Sequence, residues 1–438
     1  MQETPISKLT KFSMKKQGIS LALSLLATGV MAQQGPIQFT AKSIVALSDA
    51  DMAASAMVDG NLLKDKFTKD ALTTIGFPLD RSGSNINTSV ISNSMALFDK
   101  VLAVSNNGRL AFVVEGRGQT GDSLTSLKGG LSGLPASTKM FTVDLSAGKP
   151  ALKYGFAVGQ NPTAVTINPT GNALIVASAD PGKELRIVEV DGTGKPTRIL
   201  TAASPVPNAV ITDLAWHPGG QFVSYTIAGS QEVGLMKYAL DATKKPNLVP
   251  HGKTIKVGAM PGTGKFNADG SVFVLVDAKK AANASGTGAG EVFAVQFSTD
   301  DTPGEHKILS QAATGEGPES VAISPDGSVV VVVNAGQSYQ PFGNAAVAKS
   351  SLTVYALGKD GKLTQSADYP FEGIAPQSVD FDRSGDAIAV AVPEYLDYGM
   401  RNGGIEFWKV TKGDKPTLTK QAGRISLTRG CHAIKVIP

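Results

Sequence analysis

A chain of 438 residues can hold two or three ordinary domains or one large closed β architecture. Its 48 glycines and 24 prolines, set against only 18% charged residues, exclude a disordered chain and suit many short strands joined by tight turns. The formal net charge is +4 and no run of Lys or Arg stands out, which removes nucleic acid as a partner.

Residues 1–32 read as a signal peptide. A basic head (Lys8, Lys11, Lys15, Lys16) precedes an apolar run from Gly18 to Met31, and Val30-Met31-Ala32 supplies small residues at a cleavage site. Met14-Lys15-Lys16-Gln17 is itself a compact basic head, so Met14 is a second possible start. The run is shorter than the roughly 20 residues that span a bilayer, which disfavours a retained anchor. The mature chain is expected to begin near Gln33, in the periplasm or outside the cell, with residues 33–438 as one domain, monomeric and without a membrane span. Removing residues 1–32 takes away four lysines and Glu3, so the net charge of the remainder falls to +1. Cys431 is the single cysteine, which excludes an internal disulfide and any Cys-x-x-Cys metal or haem motif.

From residue 101 onward the chain repeats. Six segments carry the pattern: VLAVSNNG (101–108), AVTINPTG (164–171), DLAWHPGG (213–220), TGKFNADG (263–270), SVAISPDG (320–327) and SVDFDRSG (378–385). Each alternates apolar and polar residues, ends in a glycine turn, and runs straight into a second apolar stretch such as LAFVV, ALIVA or VVVVV. Alternation is the period of a strand and Asp-Gly supplies a turn, so each segment predicts a β-hairpin. A third strand and a weaker fourth follow, and the glycine-to-glycine spacings of 63, 49, 50, 57 and 58 residues fit four-stranded units. Near the C-terminus, Gly430-Cys431-His432-Ala433-Ile434-Lys435-Val436 matches a first strand and then the chain stops. Near the N-terminus, residues 52–60, 71–79 and 87–95 match a second, third and fourth strand. The two ends complete one unit between them, which predicts an all-β, seven-bladed β-propeller of four-stranded antiparallel blades, closed by strands from both termini.

The repeated hairpin, its spacing and the export signal resemble the lactonase-type seven-bladed propellers, whose superfamily includes YVTN-repeat and surface-layer propellers. The resemblance covers about residues 40–438 and implies the fold and the position of a site. Such propellers often carry Pro-Arg-His where the inner strands enter the channel; here the triplets are Pro318-Glu319-Ser320, Pro376-Gln377-Ser378 and Cys431-His432-Ala433, without the Arg-His pair.

In an antiparallel meander the loops after the second strand share a face opposite the glycine turns. Long connections at 115–139, 277–290, 334–350, 393–404 and 59–70 make that face the expected binding side. Aligning the repeats places one residue per blade where the inner strand enters the channel from there: Lys100, Thr163, Thr212, Gly262, Glu319, Gln377 and His432. Glu319 or His432 is a candidate general base and Lys100 a candidate for steadying developing negative charge; the competing reading is polar lining of a wet channel. Thr163, Thr212 and Gln377, with Tyr339, Phe342, Tyr395, Tyr398 and Arg401 of the loops, are candidate ligand contacts. His217 reads as structural, and His251 and His306 as solvated. The glycine-rich segment 116–133 lacks phosphate-loop spacing. No metal site and no cofactor motif is expected. The leading expectation is an exported module binding a small ligand or a protein on the loop-rich face; the second is hydrolysis of a sugar lactone or similar cyclic ester, and the third an accessory subunit of a redox system.

Overall fold

A computed structural model describes residues 36–438 apart from 52, 65–66, 81, 94–99, 128–129, 228, 279–288, 342, 346 and 398–399. The expected signal peptide, Phe342 and Tyr398 lie outside the described residues. Seven antiparallel sheets follow one another along the chain. Blade 1 spans Leu102 to Ala157, blade 2 Pro162 to Ala202, blade 3 Ile211 to Pro250, blade 4 Pro261 to Glu316, blade 5 Pro318 to Phe371 and blade 6 Ser378 to Leu427. Blade 7 joins Cys431–Ile437 to Ser43–Ser48, Ala71–Gly76 and Ile86–Val90, so its innermost strand comes from the C-terminus and the other three from the N-terminus.

The hairpin reading holds in detail. Gly108, Gly171, Gly220, Gly270, Gly327 and Gly385 sit at φ of 67°, 76°, 76°, 79°, 74° and 71°, a conformation that costs glycine nothing and other residues about 1 kcal/mol or more. In blade 5 the turn is closed by Gly327 N–H donating to Ser324 O at 2.8 Å. The core lies between blades, where each strand face meets its neighbour's: Val45 and Leu47 of blade 7, Phe112 and Val114 of blade 1, and Leu174 and Val176 of blade 2 belong to one buried cluster. Each such side chain contributes roughly 1.5–3 kcal/mol by leaving water.

Two expectations are corrected, one near each end of the chain. The second strand of blade 7 is Ser43–Ser48, upstream of residues 52–60, which instead contain a short helix, Ala56–Asp59, ended by Gly60 at φ 72°. SIVALS carries β-branched Ile44 and Val45, whereas the 52–60 segment is rich in Ala and Met, which favour helix. The connection after that strand is therefore residues 49–70. The segment at 393–404 is mostly a prolonged hairpin rather than a loop, since Ala387–Asp397 pairs with Met400–Thr411 out to Asp397 and Met400.

Candidate functional site

The ring of strand-entrance positions has a shared backbone cause. Thr163, Thr212, Glu319 and His432 each stand at the point where their inner strand shifts register against the next strand, and Gly262 lies in the corresponding shift of blade 4. A β-bulge re-aims the extra residue's side chain. Here most of these side chains turn into the protein. Thr163 Oγ1 donates to Ile211 O of the next blade at 2.7 Å, and the half-buried Thr212 lies 3.5 Å from Thr226 O. His432 is completely buried, its Nε2 2.7 Å from Asn93 Oδ1, and Asn93 in turn donates to Ser48 O and Ile91 O. Gln377 is buried, while Glu319 is half-buried near Tyr339, whose phenol is pushed up by burial and by the Glu319 and Glu316 carboxylates.

Lys100 spans the bore. Its Nζ lies 2.5 Å from Asp213 Oδ1 of blade 3 and donates to Gly264 O of blade 4 at 3.3 Å, although Lys100 itself leads into blade 1. Asp213 Oδ2 accepts Gly264 N–H at 2.8 Å, so one buried ion pair ties three blades together. Beyond this strut, a cavity of about 620 Å³ occupies the half of the bore nearer the glycine turns, lined by strand-end residues such as Trp216, Lys265, Phe266 and Lys435.

The second large cavity, about 550 Å³, lies on the opposite, loop-rich face among blades 5, 6 and 7. It brings together Tyr339, Tyr395 and Arg401, three of the sequence-identified contacts, with Lys349, Glu394 and Arg424. Glu394 is buried: one carboxylate oxygen pairs with Arg401 Nη1 and the other accepts Ala54 N–H at 3.0 Å, fixing the 49–70 connection to the blade 6 hairpin. Tyr395 is packed into the core of blades 5 and 6, with the Arg424 guanidinium 4.1 Å above its ring. Burial and the adjacent Glu406 carboxylate hold its phenol far above the usual range, so the hydroxyl stays protonated. Tyr339 is half-buried and Arg401 keeps about a third of its side chain exposed. At the rim Lys349 pairs with Glu372 at 2.5 Å.

The loops of this face are fastened to one another. Asn61 bridges Ser126, Lys64 Nζ donates to Thr120 O and Gly121 O at 2.8 and 3.0 Å, and Ala56, Leu62, Leu127 and Leu134 form a small apolar core of their own. Among the described residues, one group of carboxylates approaches metal-binding spacing: Asp49, Asp51 and Asp70, with one oxygen of each within 4.8 Å of the others. These oxygens already accept the N–H groups of Asp51, Thr120, Ala50 and Asn93, and burial beside two like charges pushes Asp70 up to about 9. With Lys64 Nζ 3.8 Å from Asp51, the group ties the 49–70 connection to Asn93 and to Thr120 of the blade 1 loop. Sequence reasoning missed it because Asp70 is far along the chain from Asp49.

The histidines away from the ring are structural. His217 Nδ1 accepts Gly219 N–H and its Nε2 meets Gly270 O at 3.2 Å, joining the turns of blades 3 and 4. His251 and His306, expected in solvent, pack instead against Phe222 and Phe297, because their connections fold over the outer edge of an aromatic cluster. The Cys431 thiol is fully buried, and burial pushes it up to about 12.

The family profile described as "Lactonase, 7-bladed beta-propeller" matches residues 299–394. No protein of curated function matches the chain in sequence. Among solved structures, the periplasmic gluconolactonase of Pseudomonas aeruginosa is similar at 15% identity and TM-score 0.60, covering 90% of this chain and 99% of that one. A candidate 6-phosphogluconolactonase from Bacteroides fragilis is similar at 13% and 0.60, covering 91% and 98%. Hydrazine synthase of Kuenenia stuttgartiensis is similar at 13% and 0.51, covering 79% and 91%. Such likenesses carry the fold alone.

Proposed function

Taking the lactonase-type seven-bladed propeller as the premise, we propose that this chain is an exported module that binds a small polar ligand in the loop-face cavity of blades 5, 6 and 7. The observation that carries this reading is the convergence of an aromatic side chain, Tyr339, with the partly exposed guanidinium of Arg401 in a recess of about 550 Å³. A pocket of that size with few polar anchors suits a metabolite of sugar size. Titration calorimetry of the wild type against neutral sugars, sugar lactones and sugar acids should find a ligand, and Tyr339→Ala should weaken it at least ~10-fold, the loss of one stacking or hydrogen-bonding contact. A wild type that binds none of them, or a variant that binds equally well, rejects the reading. Export is part of the same proposal; N-terminal sequencing of the mature protein should begin near Gln33, and a retained Met1 or Met14 would remove that part.

Hydrolysis of a sugar lactone is the second reading, favoured by the profile match across Glu319 and by the gluconolactonase whose fold is shared. On this reading the Glu319 carboxylate activates water at the channel entrance. Wild-type turnover of an aldonolactone, lowered at least ~10²-fold by Glu319→Gln without loss of folding, would establish it. Absence of turnover would leave the binding role.

A further inference from the structure

Resting on the loop-face cavity as a binding site, we propose that its ligand is an uncharged sugar ring, held by the hydrogen-bonding edge of Arg401 rather than by charge, and that sugars carrying a carboxylate or an ammonium group are turned away. The charges around this recess come in matched sets. Arg401 Nη1 meets one oxygen of Glu394, which is buried. At the rim Lys349 pairs with Glu372 at 2.5 Å. Arg424 faces the buried Glu406 across the strand register, and Lys420 Nζ reaches the same carboxylate at 2.8 Å. Arg424 is itself exposed, where water and salt screen what that carboxylate does not balance. The Glu319 and Glu316 carboxylates bear on Tyr339 and, after burial, help to raise its phenol. They have the same sign as an anionic ligand. A charged ligand entering this recess gives up hydration for groups that are already matched, and that loss is not offset.

Hydrogen-bonding capacity is what remains. A guanidinium presents five N–H donors in a planar fork. Among the described residues, the polar contact of Arg401 is the one bond from Nη1, and about a third of its side chain is exposed at the cavity. Glu394 fixes where that fork lies, because its other oxygen accepts Ala54 N–H at 3.0 Å. From the blade 5 connection, Gln340 gives one N–H to Gln337 Oε1 at 2.8 Å and accepts one from Asn344 Nδ2 at 3.0 Å. Its amide carries a second N–H and a second lone pair. Hydroxyl groups both donate and accept, so a polyhydroxy ring can answer the guanidinium and the amide together. Tyr339, half-buried in the same cavity, adds aromatic surface for the apolar C–H side of such a ring, and Val347 and Ile374 line the cavity as well.

Calorimetry on the intact protein should compare three probes built on one pyranose ring: methyl glucoside, methyl glucuronide and methyl glucosaminide, in weakly acidic buffer where the amine is protonated. The glucoside should bind at least ~10-fold more tightly than either charged probe, and its affinity should hold as salt is raised. Glu394→Gln leaves the Arg401 charge without its partner, so in that variant the glucuronide should overtake the glucoside. A wild type that takes the glucuronide or the glucosaminide as well as the glucoside overturns the uncharged assignment while leaving the cavity as a binding site. A Glu394→Gln protein with the wild-type ranking overturns the charge matching on which the assignment stands. Failure of all three probes also overturns it, and the binding reading falls with it only if the lactone and open-chain acid series fails too. The probe comparison needs no variant, so a poorly folding Glu394 substitution does not spare the inference.

Discussion

Two groups of polar residues on the loop-rich side of this propeller are put to opposite uses. At the strand entrances, Lys100, Thr163 and His432 are buried and joined to Asp213, Ile211 O and Asn93, so their polarity is consumed in holding blades together. On the loop face, Arg401 and Tyr339 remain partly exposed around a recess built by connections that the repeat does not contain. The contrast teaches that a polar residue recurring at the same place in every blade is first a structural device. The residues free to meet a ligand are those the blades do not share.

That contrast can be broken in order of size. Deleting Cys431 to Pro438 should be most damaging, since it removes the inner strand of blade 7, opens the ring and exposes two sheet edges; a truncated protein that melts like the intact one by calorimetry would refute closure. Lys100→Met should cost about 3–5 kcal/mol in denaturant unfolding because it leaves the Asp213 charge buried without its cation. Adding Asp213→Asn should recover part of that loss, which a merely solvated lysine would not show. Arg401→Gln should cost less, about 1–3 kcal/mol, because it leaves the buried Glu394 carboxylate without its cation while Ala54 N–H still holds the other oxygen.

The smallest effect concerns pH. Burial holds His217 and His306 below the usual imidazole range, and each accepts a backbone N–H at Nδ1, which only the neutral ring can do. The unfolded chain therefore takes up protons first. Stability from these rings is full above about pH 6.5 and is lost as pH falls below it. Each ring is only half-buried, so between pH 7.5 and 5 the loss in midpoint should be on the order of 1–2 °C per ring. Thermal melts of His306→Gln across that range should show a flatter pH dependence, and an unchanged slope would remove the assignment.

Much of the fold was legible because the turn chemistry is local. A glycine at positive φ after a small or polar residue marks where each of the six hairpins reverses, and the seventh blade followed from counting fragments at the ends. The N-terminal strand was misplaced because Ser43–Ser48 carries no such turn signal behind it, and the alternation within 52–60 imitates a strand that its alanines do not form. Of the site, Tyr339, Tyr395 and Arg401 could be named from the loops, but their neighbours Glu394 and Arg424 could not, since a prolonged hairpin brings them in by register. Lys100 was named for its charge; its partner lies 113 residues away, beyond any pattern in the chain.

The closing blade also sets a schedule. Ser43–Ser48 is inserted between Cys431–Ile437 and Ala71–Gly76, so a strand made early has no inner neighbour until one far later in the chain is made. A ring fastened by its two ends cannot be completed on a nascent chain, and the strand pairing across nearly the whole sequence makes the final step slow. A protein built this way remains incompletely folded until both contributors to the closing blade have been made, and only then does the ring lock.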